Sequence, residues 1–307
     1  MIDLTIVIVS FNTRDLIRDC LSALDVGCDG VTVETMVVDN ASTDGSSDMI
    51  RREFPQVRLV ANERNMGFAA ANNVALRLAK GRYVVLLNPD TRVLPGALSK
   101  LACFMDHGPS VGYCGPRLVN EDGSHQPSAR RFPTILSAAY ALVGLTRRFP
   151  RSRHTLNLHS SQGDNKCFRA DWLCGACLMV RSDCVRQTGF LDQGFFLYFE
   201  ETDWCRKMAR EGWEGWYVGS AEVVHLGGQS IAHNDNVRPF SGDHPDHWVR
   251  SSRRYMRRYY GWSGMVVSEL LQITLYLLIW LRHCPRRSLA SRVKTRTAAA
   301  AIRYLVT

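Results

Sequence analysis

Three short apolar runs near the N-terminus constrain the fold most strongly. They cover residues 4–9, 35–38 and 83–87, they are rich in β-branched side chains, and each ends abruptly in polar residues. Short runs without alternation are typical of strands buried on both faces, as in parallel sheets covered by helices. Amphipathic helical patterns at 13–24, 46–53 and 69–79 fill the intervals. We therefore predict an α/β fold with a Rossmann-like, mostly parallel sheet and flanking helices.

Later segments are less regular. We predict that Gly81 caps the helix at 69–79, that residues 123–165 are loops with one apolar helix at 135–145, and that a helix begins near residue 200. Short strands are predicted at 215–218 and 222–225. The segment 123–165 is thus predicted to be an excursion of the chain from the sheet.

The polar residues that follow the three apolar runs are candidate ligand groups. They are Ser10, Asn12, Asp39, Asn40, Asn88 and Asp90. Because ligands of open α/β sheets bind at the carboxyl ends of the strands, these side chains are predicted to converge on one crevice. A carboxylate at a rigid strand end, such as Asp90, suits a hard divalent cation, Mn²⁺ or Mg²⁺, that holds a diphosphate.

The neighbouring motifs give Asp90 its meaning, because Asn-Pro-Asp alone is a common turn. They are Val-Ile-Val-Ser-Phe-Asn at 7–12, Val-Asp-Asn-Ala-Ser-Thr-Asp-Gly-Ser at 38–46 and Asn-Glu-Arg-Asn-Met-Gly-Phe at 62–68. Together with Asn88-Pro89-Asp90 they resemble family 2 glycosyltransferases of the GT-A fold, in particular the bacterial rhamnosyltransferase-like branch that builds surface polysaccharides. The resemblance extends from residue 4 to about residue 230.

That resemblance implies an inverting transfer of a sugar, such as rhamnose, from a dTDP- or UDP-linked donor to a hydroxyl of a glycan or polyprenyl-linked acceptor. It implies that Asp39 and Asn40 bind the base or ribose, beside Ser10 and Asn12. Asn65, Gly67 and Asn72 are expected to shape the nucleotide pocket. Asn88 replaces the first acid of the usual metal motif, which leaves Asp90 as the principal metal carboxylate.

A second block, Phe-Leu-Tyr-Phe-Glu-Glu-Thr-Asp-Trp-Cys-Arg at 196–206, resembles the acidic segment that carries the catalytic base of the family. By position the base is Glu201, where most relatives have aspartate, and Asp203 is the reserve candidate. An inverting transfer needs such a carboxylate to take the proton of the acceptor hydroxyl. The alternative is a carboxylate cluster that is merely favoured by a helix N-terminus.

Three further assignments follow from the resemblance. His225, ahead of Gly227 and Gly228, is expected to contact the diphosphate or complete the metal shell. Trp172 and Gly175, with Glu200, are expected to border the acceptor and the sugar. For Trp172 both an exposed indole that faces a sugar and a packed core residue remain open.

The C-terminal region differs in charge from the rest. Residues 1–231 hold 25 Lys and Arg against 25 Asp and Glu, whereas residues 232–307 hold 13 against 4. Arginines and aromatic residues alternate at helical spacing from residue 246, and 265–281 is apolar apart from Glu269 and Gln272. A spanning helix needs ~20 apolar residues, so this segment is predicted to lie on an anionic membrane surface, with packing on the body as the alternative.

We therefore predict a catalytic domain at 1–235 and a basic, partly apolar tail at 236–307. Such a tail favours a membrane over nucleic acid as the partner. The N-terminal sequence lacks the pattern of an export signal, and the ten cysteines lack a disulfide spacing, so the expected location is cytoplasmic, peripheral to the inner face of the cell membrane. Cys174 and Cys177 are interpreted as packing residues, and homo-oligomerisation is left open.

Two other functions fit parts of the pattern. A nucleotidyltransferase shares the sheet and the metal but needs a glycine-rich loop after its first strand, where this chain has Ser10, Phe11 and Asn12. A catalytically silent sugar-nucleotide-binding protein would explain the replacement at Glu201. A dehydrogenase is disfavoured because no Gly-x-Gly-x-x-Gly follows a strand.

Overall fold

The computed structural model describes residues 2–149, 151–158, 166–227, 245–285 and 289–306. Its contacts divide the chain into two units. The first comprises Met1–Phe132, Asn157–Phe196 and Glu200–His233, and the second comprises Pro133–Leu156, Leu197–Phe199 and Asn234–Thr307. The predicted domain boundary at 235/236 lies outside the described residues, as do Gly228 and the residues that follow it up to 244.

Strands and helices alternate through the first 107 residues, as predicted. The elements are β1 (Leu4–Ser10), α1 (Arg14–Ser22), α2 (Leu24–Gly27), β2 (Val33–Asp39), α3 (Ser46–Glu53), β3 (Arg58–Ala61), α4 (Phe68–Leu76), β4 (Tyr83–Leu87), β5 (Thr91–Val93) and α5 (Ala97–His107).

The remaining elements include the second half of the sheet and the C-terminal helices. They are β6 (Val111–Val119), β7 (His125–Gln126), β8 (Ala129–Arg130), α6 (Ile135–Leu142), α7 (Leu145–Arg148), β9 (Cys167–Arg169), β10 (Trp172–Leu173), β11 (Cys177–Arg181), α8 (Ser182–Thr188), α9 (Glu200–Arg210), β12 (Glu214–His225), α10 (Pro245–His283) and α11 (Leu289–Val306).

Ten strands form one sheet within the described residues of the first unit. Its order is β3-β2-β1-β4-β11-β6-β12-β5, with β7 on β6 and β9 on β12, while β8 and β10 form a separate pair. The four strands from β3 to β4 are parallel, and β11 runs antiparallel to its neighbours β4 and β6. This arrangement confirms the predicted α/β class.

The first strand shows why the apolar runs do not alternate. Leu4, Ile6 and Ile8 pack into the core on one face of the sheet, and Val7 and Val9 pack into the core on the other. Helices cover both faces, so every side chain of β1 is buried. Burial on both faces is the reason that such strands read as continuous apolar runs.

The prediction for α4 was wrong at its C-terminal end. The helix ends at Leu76 with a right-handed residue, Arg77, in the cap position, so Gly81 does not cap it. Gly81 instead lies against β1, where a Cβ atom would come within 2.5 Å of the backbone nitrogen of Thr5. The glycine therefore serves close backbone packing at the start of β4.

Two other boundaries differ from prediction. The expected strands at 215–218 and 222–225 are one strand, β12, whose pairing with β6 shifts register between Val218 and Glu222. The expected loop region at 123–165 also contains β7, β8 and α7, and its apolar helix α6 ends at Leu142. These elements are short and their polar sequences have no clear period, so the sequence pattern did not predict them.

The second unit is helical. α10 packs against α11 and α6, and it contains a break at Gly261, where φ is 70° and ψ is −174°. The Tyr260 hydroxyl donates to the Pro133 carbonyl at 3.0 Å, and Gly264 leaves room for Ile135 of α6. Short side chains and this hydrogen bond thus fix α6 to α10 within the unit.

Candidate active site

The carboxyl ends of the first two strands meet as the sequence predicts. Ser10 is in register with Asp39, and the Asn40 backbone N–H donates to the Ser10 carbonyl at 2.8 Å. On the other side of β1, Ile8 is in register with Leu87, the last residue of β4. The segment that begins at Asn88 therefore leaves the sheet beside the end of β1.

Asp39 organises the turn that follows β2. Its carboxylate accepts hydrogen bonds from the Ser42 backbone at 3.1 Å, the Ser42 hydroxyl at 2.5 Å and the Ser47 hydroxyl at 2.9 Å. Asp39 is 2% exposed. Both carboxylate oxygens are thus bonded within the loop that is predicted to hold the base or ribose.

Asn40 joins this loop to the segment at 62–67. Its Nδ2 donates to Asn65 Oδ1 at 2.9 Å and to the Gly67 carbonyl at 3.4 Å. Its Oδ1 accepts from Asn62 Nδ2 at 3.0 Å and from the Met66 backbone at 3.2 Å. One buried amide therefore holds together two of the loops that carry the family motifs.

The other donor-side candidates have distinct settings. Ser10 is fully buried and its hydroxyl lies 2.9 Å from that of Thr13. Asn12 has a φ of 53°, and its Oδ1 accepts from the Thr43 backbone at 2.8 Å. Asn72 donates to the Phe68 carbonyl at 2.9 Å, and its buried Oδ1 has no hydrogen-bond partner among the described residues. Of this group, Asn72 alone presents an orphaned buried atom.

Gly67 requires the absence of a side chain. Its φ is 81°, and a Cβ atom would lie 2.6 Å from the Phe196 carbonyl oxygen and 2.7 Å from the Phe196 ring. The Phe68 backbone N–H donates to that same carbonyl at 2.8 Å. The nucleotide-side loop therefore touches the segment that leads into α9.

The turn after β4 brings Asp90 and His225 together. Asp90 is 2% exposed, and its Oδ1 lies 3.5 Å from His225 Nε2. The Leu226 backbone N–H donates to the Asp90 carbonyl at 3.0 Å. The Asn88 backbone N–H donates to the Ala176 carbonyl at 2.9 Å, which holds Asn88 in place. The pairing of β5 with β12, Thr91 opposite His225, explains this proximity.

Gln126, which sequence reasoning missed, fixes the tautomer of His225. The Gln126 Nε2 donates to Asn120 Oδ1 at 2.7 Å and to the His225 carbonyl at 3.1 Å, so its Oε1 is the acceptor. His225 Nδ1 lies 2.7 Å from that Oε1 and must carry a proton. In the neutral ring, Nε2 then presents its lone pair toward Asp90.

This pair fits a divalent cation. A carboxylate oxygen suits Mn²⁺ or Mg²⁺, whereas an imidazole nitrogen is a softer ligand; magnesium in particular is held by one or two carboxylates together with substrate phosphates and water. No group of three His, Cys, Asp or Glu side chains able to hold a metal occurs in the described part of the chain. Substrate phosphate oxygens and water are further ligands that such an ion takes.

Helix α9 begins with the two glutamates of the acidic segment. Glu200 is 4% exposed, Glu201 is half-buried, and one carboxylate oxygen of each, Oε2, is buried without a hydrogen-bond partner among the residues that the structure describes. Asp203 is fully buried, and its Oδ2 lies 3.0 Å from Lys207 Nζ. The reserve base is thus engaged in an ion pair inside the unit.

Burial changes the acidity of the two glutamates. It raises the pKa of Glu200 well above the ordinary value, and the neighbouring charge of Glu201 adds to the effect. Burial also raises the pKa of Glu201, while backbone N–H groups, including that of Gly175, and the charge of Arg130 oppose the rise. Both pKa values therefore lie above the ordinary glutamate value, and burial raises that of Glu200 more strongly than the opposed shift of Glu201.

The turn at 174–176 links the two acidic parts of the site. A Cβ atom at Gly175 would lie 3.7 Å from the Glu201 side chain, and Ala176 accepts the hydrogen bond from Asn88. Burial raises the pKa of Cys174 to about 11, and the charges of both Glu201 and Asp90 contribute to that rise. Glu201 and the Asp90 turn therefore lie close to the same short segment.

Trp172 is a packed residue rather than an exposed indole. It is 9% exposed, its Nε1 donates to the Arg131 carbonyl at 2.9 Å, and the Arg130 guanidinium lies 5.2 Å from its ring centroid. Arg130 was not singled out from the sequence. The signal for it was the absence of Asp and Glu from residue 123 to 163, a stretch that contains six arginines.

Cys174 and Cys177 are free thiols. Burial raises the pKa of Cys177 as it does that of Cys174, so neither is a ready thiolate. This supports the interpretation of the Cys-x-x-Cys pair as packing.

The architecture matches solved sugar-transferase structures. A mannosyltransferase from Pyrobaculum calidifontis in complex with GDP-Man and Mn²⁺ aligns with a TM-score of 0.56 at 18% identity, over 99% of this chain and 84% of that one. S. aureus TarS in complex with UDP aligns with a TM-score of 0.53 at 15% identity, over 91% and 71%. These likenesses show that the fold is the GT-A fold.

The sequence comparisons narrow this class. The model of the family described as glycosyl transferase family 2 matches residues 5–174, and the chain belongs to that family. The N-acetylglucosaminyl-diphospho-decaprenol L-rhamnosyltransferase of Mycobacterium tuberculosis is 28% identical over 83% of this chain and 89% of its own length. Rhamnosyltransferase WbbL of Escherichia coli is 28% identical over 62% and 70%. The chain is thus an inverting, rhamnosyltransferase-like enzyme of glycan synthesis.

Proposed function

We propose that this enzyme transfers rhamnose from a dTDP- or UDP-linked donor to a hydroxyl of a polyprenyl-diphosphate-linked glycan. The names of its relatives support this, since one acts on an N-acetylglucosaminyl-diphospho-decaprenol and another is a dTDP-rhamnosyl transferase of Shigella flexneri. The observation that carries the proposal is that Glu201 and the turn that contains Asp90 both lie next to the 174–176 segment. That arrangement suits a base and a diphosphate site that share one sugar.

Glu201 is the proposed base. Its carboxylate takes the proton of the acceptor hydroxyl as that oxygen bonds to the anomeric carbon, while the bond from the anomeric carbon to the diphosphate breaks on the opposite face. The products are the inverted glycoside, a protonated Glu201 and the nucleoside diphosphate. The ion pair of Asp203 with Lys207 makes Asp203 the weaker candidate for this role.

Metal dependence is part of the proposal. Asp90 and His225 would hold a Mn²⁺ or Mg²⁺ ion, which when bound neutralises charge on the leaving diphosphate. Asn88 then serves as a neutral neighbour of the diphosphate. On the donor side Asp39, Asn40, Asn65 and Gly67 keep the nucleotide loops in place by the hydrogen bonds described above.

A donor competition experiment tests the sugar and the base. We expect dTDP-rhamnose or UDP-rhamnose, with Mn²⁺ or Mg²⁺, to raise the Tm of the protein and to label a polyprenyl-diphosphate N-acetylglucosamine acceptor, since a ligand that binds the native state stabilises it. GDP-mannose is the matched control donor. Transfer from GDP-mannose alone would contradict the proposed donor, and an elevated Tm without transfer to any acceptor would favour a silent binding protein.

The second unit supplies the proposed membrane contact. Beyond Gly261, most of the exposed side chains of α10 are apolar, with Ser263 and Thr274 among them as small polar residues. The large apolar ones are Trp262, Val266, Val267, Leu270, Leu277, Leu278 and Leu281. The inward side is more polar: Ser268 is 1% exposed and accepts a hydrogen bond from Gln272, and Glu269 pairs with Arg253. A helix with its apolar face outward and polar groups inward is the inverse of a soluble one and suits lipid.

Arginines at the two ends of this apolar face indicate which kind of lipid it would contact. Arg257 stacks on Trp262 at 4.4 Å at one end of this face, and the exposed Arg282 lies at the other end. Residues 246–283 include a stretch long and apolar enough to cross a membrane. The helix break at Gly261, just before the apolar stretch 265–281, and Glu269 within it favour a helix that lies in the interface. We propose an anionic bilayer at the cytoplasmic face of the cell membrane as its partner.

Vesicle flotation tests this contact. We expect the full chain to float with vesicles of phosphatidylglycerol and phosphatidylcholine, and the double variant Leu270→Glu, Leu277→Glu to remain in solution. Val26→Glu, which changes an equally exposed apolar residue of the first unit, is the control and should float. If both variants float, the face is not the anchor, and a wild-type dimer that the double change dissociates would identify a second copy as the occupant.

A further inference from the structure

Two consecutive aromatic residues lead into α9 in a backbone conformation that side chains rarely adopt. Tyr198 has a φ of 68° and Phe199 a φ of 67°. Left-handed geometry is costly for residues with bulky side chains, and it persists only where surrounding contacts determine it. The next residue is Glu200, so this turn sets the entry of the chain into the helix that carries both glutamates.

The contacts that hold this turn come from α10. The Phe199 ring lies 5.9 Å from that of Trp248 and 5.4 Å from that of Tyr255, and Tyr255 is fully buried. The Ser251 hydroxyl donates to the Leu197 carbonyl at 2.8 Å. All these residues belong to the second unit. The turn is thus packed and hydrogen-bonded by the first part of the tail helix.

The residue before the turn is fixed as well. The Phe196 carbonyl accepts from the Phe68 backbone at 2.8 Å, and the Phe196 ring lies against Gly67. Phe196 is therefore fixed beside the Gly67 loop of its own unit. Because Glu200 directly follows Phe199 in the chain, the direction in which α9 begins depends on Tyr198 and Phe199 keeping their left-handed conformation.

We infer that Phe199, held by Trp248, Ser251 and Tyr255, positions Glu201 for proton transfer. The first part of α10 is then required for catalysis itself, apart from any membrane contact of its second part. This inference rests on the proposed role of Glu201. The four residues are positioning residues, since they act on the carboxylate through the turn and not on the substrate.

Steady-state kinetics with the full chain test the inference. We expect Phe199→Ala and Ser251→Ala to lower kcat on the order of 10- to 100-fold, because displacement of a catalytic group by about 1 Å costs that much. The donor KM and the calorimetric Kd of the donor should stay within about twofold of wild type, since misplacement of a base acts on kcat. Phe199→Tyr and Trp248→Phe should keep most activity.

The pH profile gives a readout that a purely structural role would not move. A loosened turn admits water to Glu201, which lowers its raised pKa, so the acid limb of kcat should move to lower pH in Phe199→Ala. Phe149→Ala, which removes a half-exposed ring of the same unit, is the matched control and should behave as wild type. Wild-type kcat and an unmoved limb in both Phe199→Ala and Ser251→Ala would overturn the inference.

Two other outcomes are decisive. Equal losses of donor affinity and kcat in Phe199→Ala and Ser251→Ala would indicate general disruption and would also overturn it. Glu201→Gln is measured alongside to separate the two proposals. An active Glu201→Gln would remove the proposed base and this inference with it, whereas an inactive Glu201→Gln beside an unaffected Phe199→Ala would remove this inference alone.

Discussion

The proposed nucleotide loops and the two glutamates that begin α9 belong to one unit, but their buried polar groups differ in how they are hydrogen-bonded. On the donor side, Asp39 and Asn40 place their oxygens and amide hydrogens in bonds to neighbouring loops. On the acid side, Glu200 and Glu201 each bury one carboxylate oxygen without a partner among the described residues. A bonded loop is preformed, whereas an unbonded buried carboxylate has a raised pKa and reacts readily with a proton.

The largest expected effect is on the acid side. Glu201→Gln keeps the size of the side chain and removes its basicity, so transfer should fall by roughly 10²- to 10⁴-fold, the range of general base catalysis. Donor binding, measured by calorimetry, should not change. The control is Glu214→Gln, which alters a glutamate of β12 that pairs with Arg169 of β9. This variant should retain wild-type rates. Substantial transfer by Glu201→Gln would move the base elsewhere.

The next effect concerns the Asp90–His225 pair. Asp90→Ala should lower kcat/KM by at least about 100-fold and weaken Mn²⁺-dependent donor binding, because a bound cation contributes several kcal/mol to the stabilisation of the departing charge. Rates are measured across a Mn²⁺ titration. Asp122→Asn, in an exposed turn, is the control. If the Asp90 variant kept full activity in the presence of a chelator, the metal proposal would fail.

Substitutions at Asn40 and at Glu200 should change the free energy of unfolding in opposite directions. Asn40→Ala leaves buried partners unsatisfied and should lower the free energy of unfolding by about 1–3 kcal/mol. Glu200→Gln should raise it at neutral pH, because the pKa of folded Glu200 lies above that of the unfolded chain and folding therefore takes up a proton.

The pH dependence follows from the same sign. The free energy of unfolding is not reduced below the ordinary glutamate pKa, where Glu200 is protonated in both the folded and the unfolded chain. It falls as pH rises through the raised pKa of folded Glu200, because the unfolded chain ionises first. Denaturation measured from pH 4 to 8 should therefore show a decline that Glu200→Gln flattens. An identical pH slope in both proteins would contradict the raised pKa.

The smallest effect separates the charge of Arg130 from its packing. This cation opposes the rise in the pKa of Glu201, so Arg130→Ala should raise that pKa further and move the acid limb of kcat/KM to higher pH. Arg169→Ala removes another arginine stacked on a tryptophan, Trp216, and serves as the control. A limb that moved equally in both variants would point to a nonspecific effect.

The sequence predicted the neighbouring strands β1, β2 and β4 because burial on both faces makes their apolar runs continuous. It also predicted α9 at its first residue, since Glu200 starts a dense amphipathic pattern. The pairing of Asp90 with His225 joins residues far apart in the chain through β5 and β12, and only the family resemblance could suggest it. Short strands and hydrogen bonds such as that of Gln126 leave no periodic signal, so the sequence could not reveal them.

The Gln126 carboxamide has a consequence for turnover. A histidine ligand whose second nitrogen faces a carboxylate becomes more basic and binds metal more tightly. Here that nitrogen, Nδ1, faces the neutral amide of Gln126, and the Asp90 carboxylate lies beside the other nitrogen, Nε2. If Asp90 and His225 hold a divalent ion, these two donors alone would hold it weakly, and the diphosphate of the donor would supply much of the remaining affinity. Metal binding and nucleotide binding would then depend on each other.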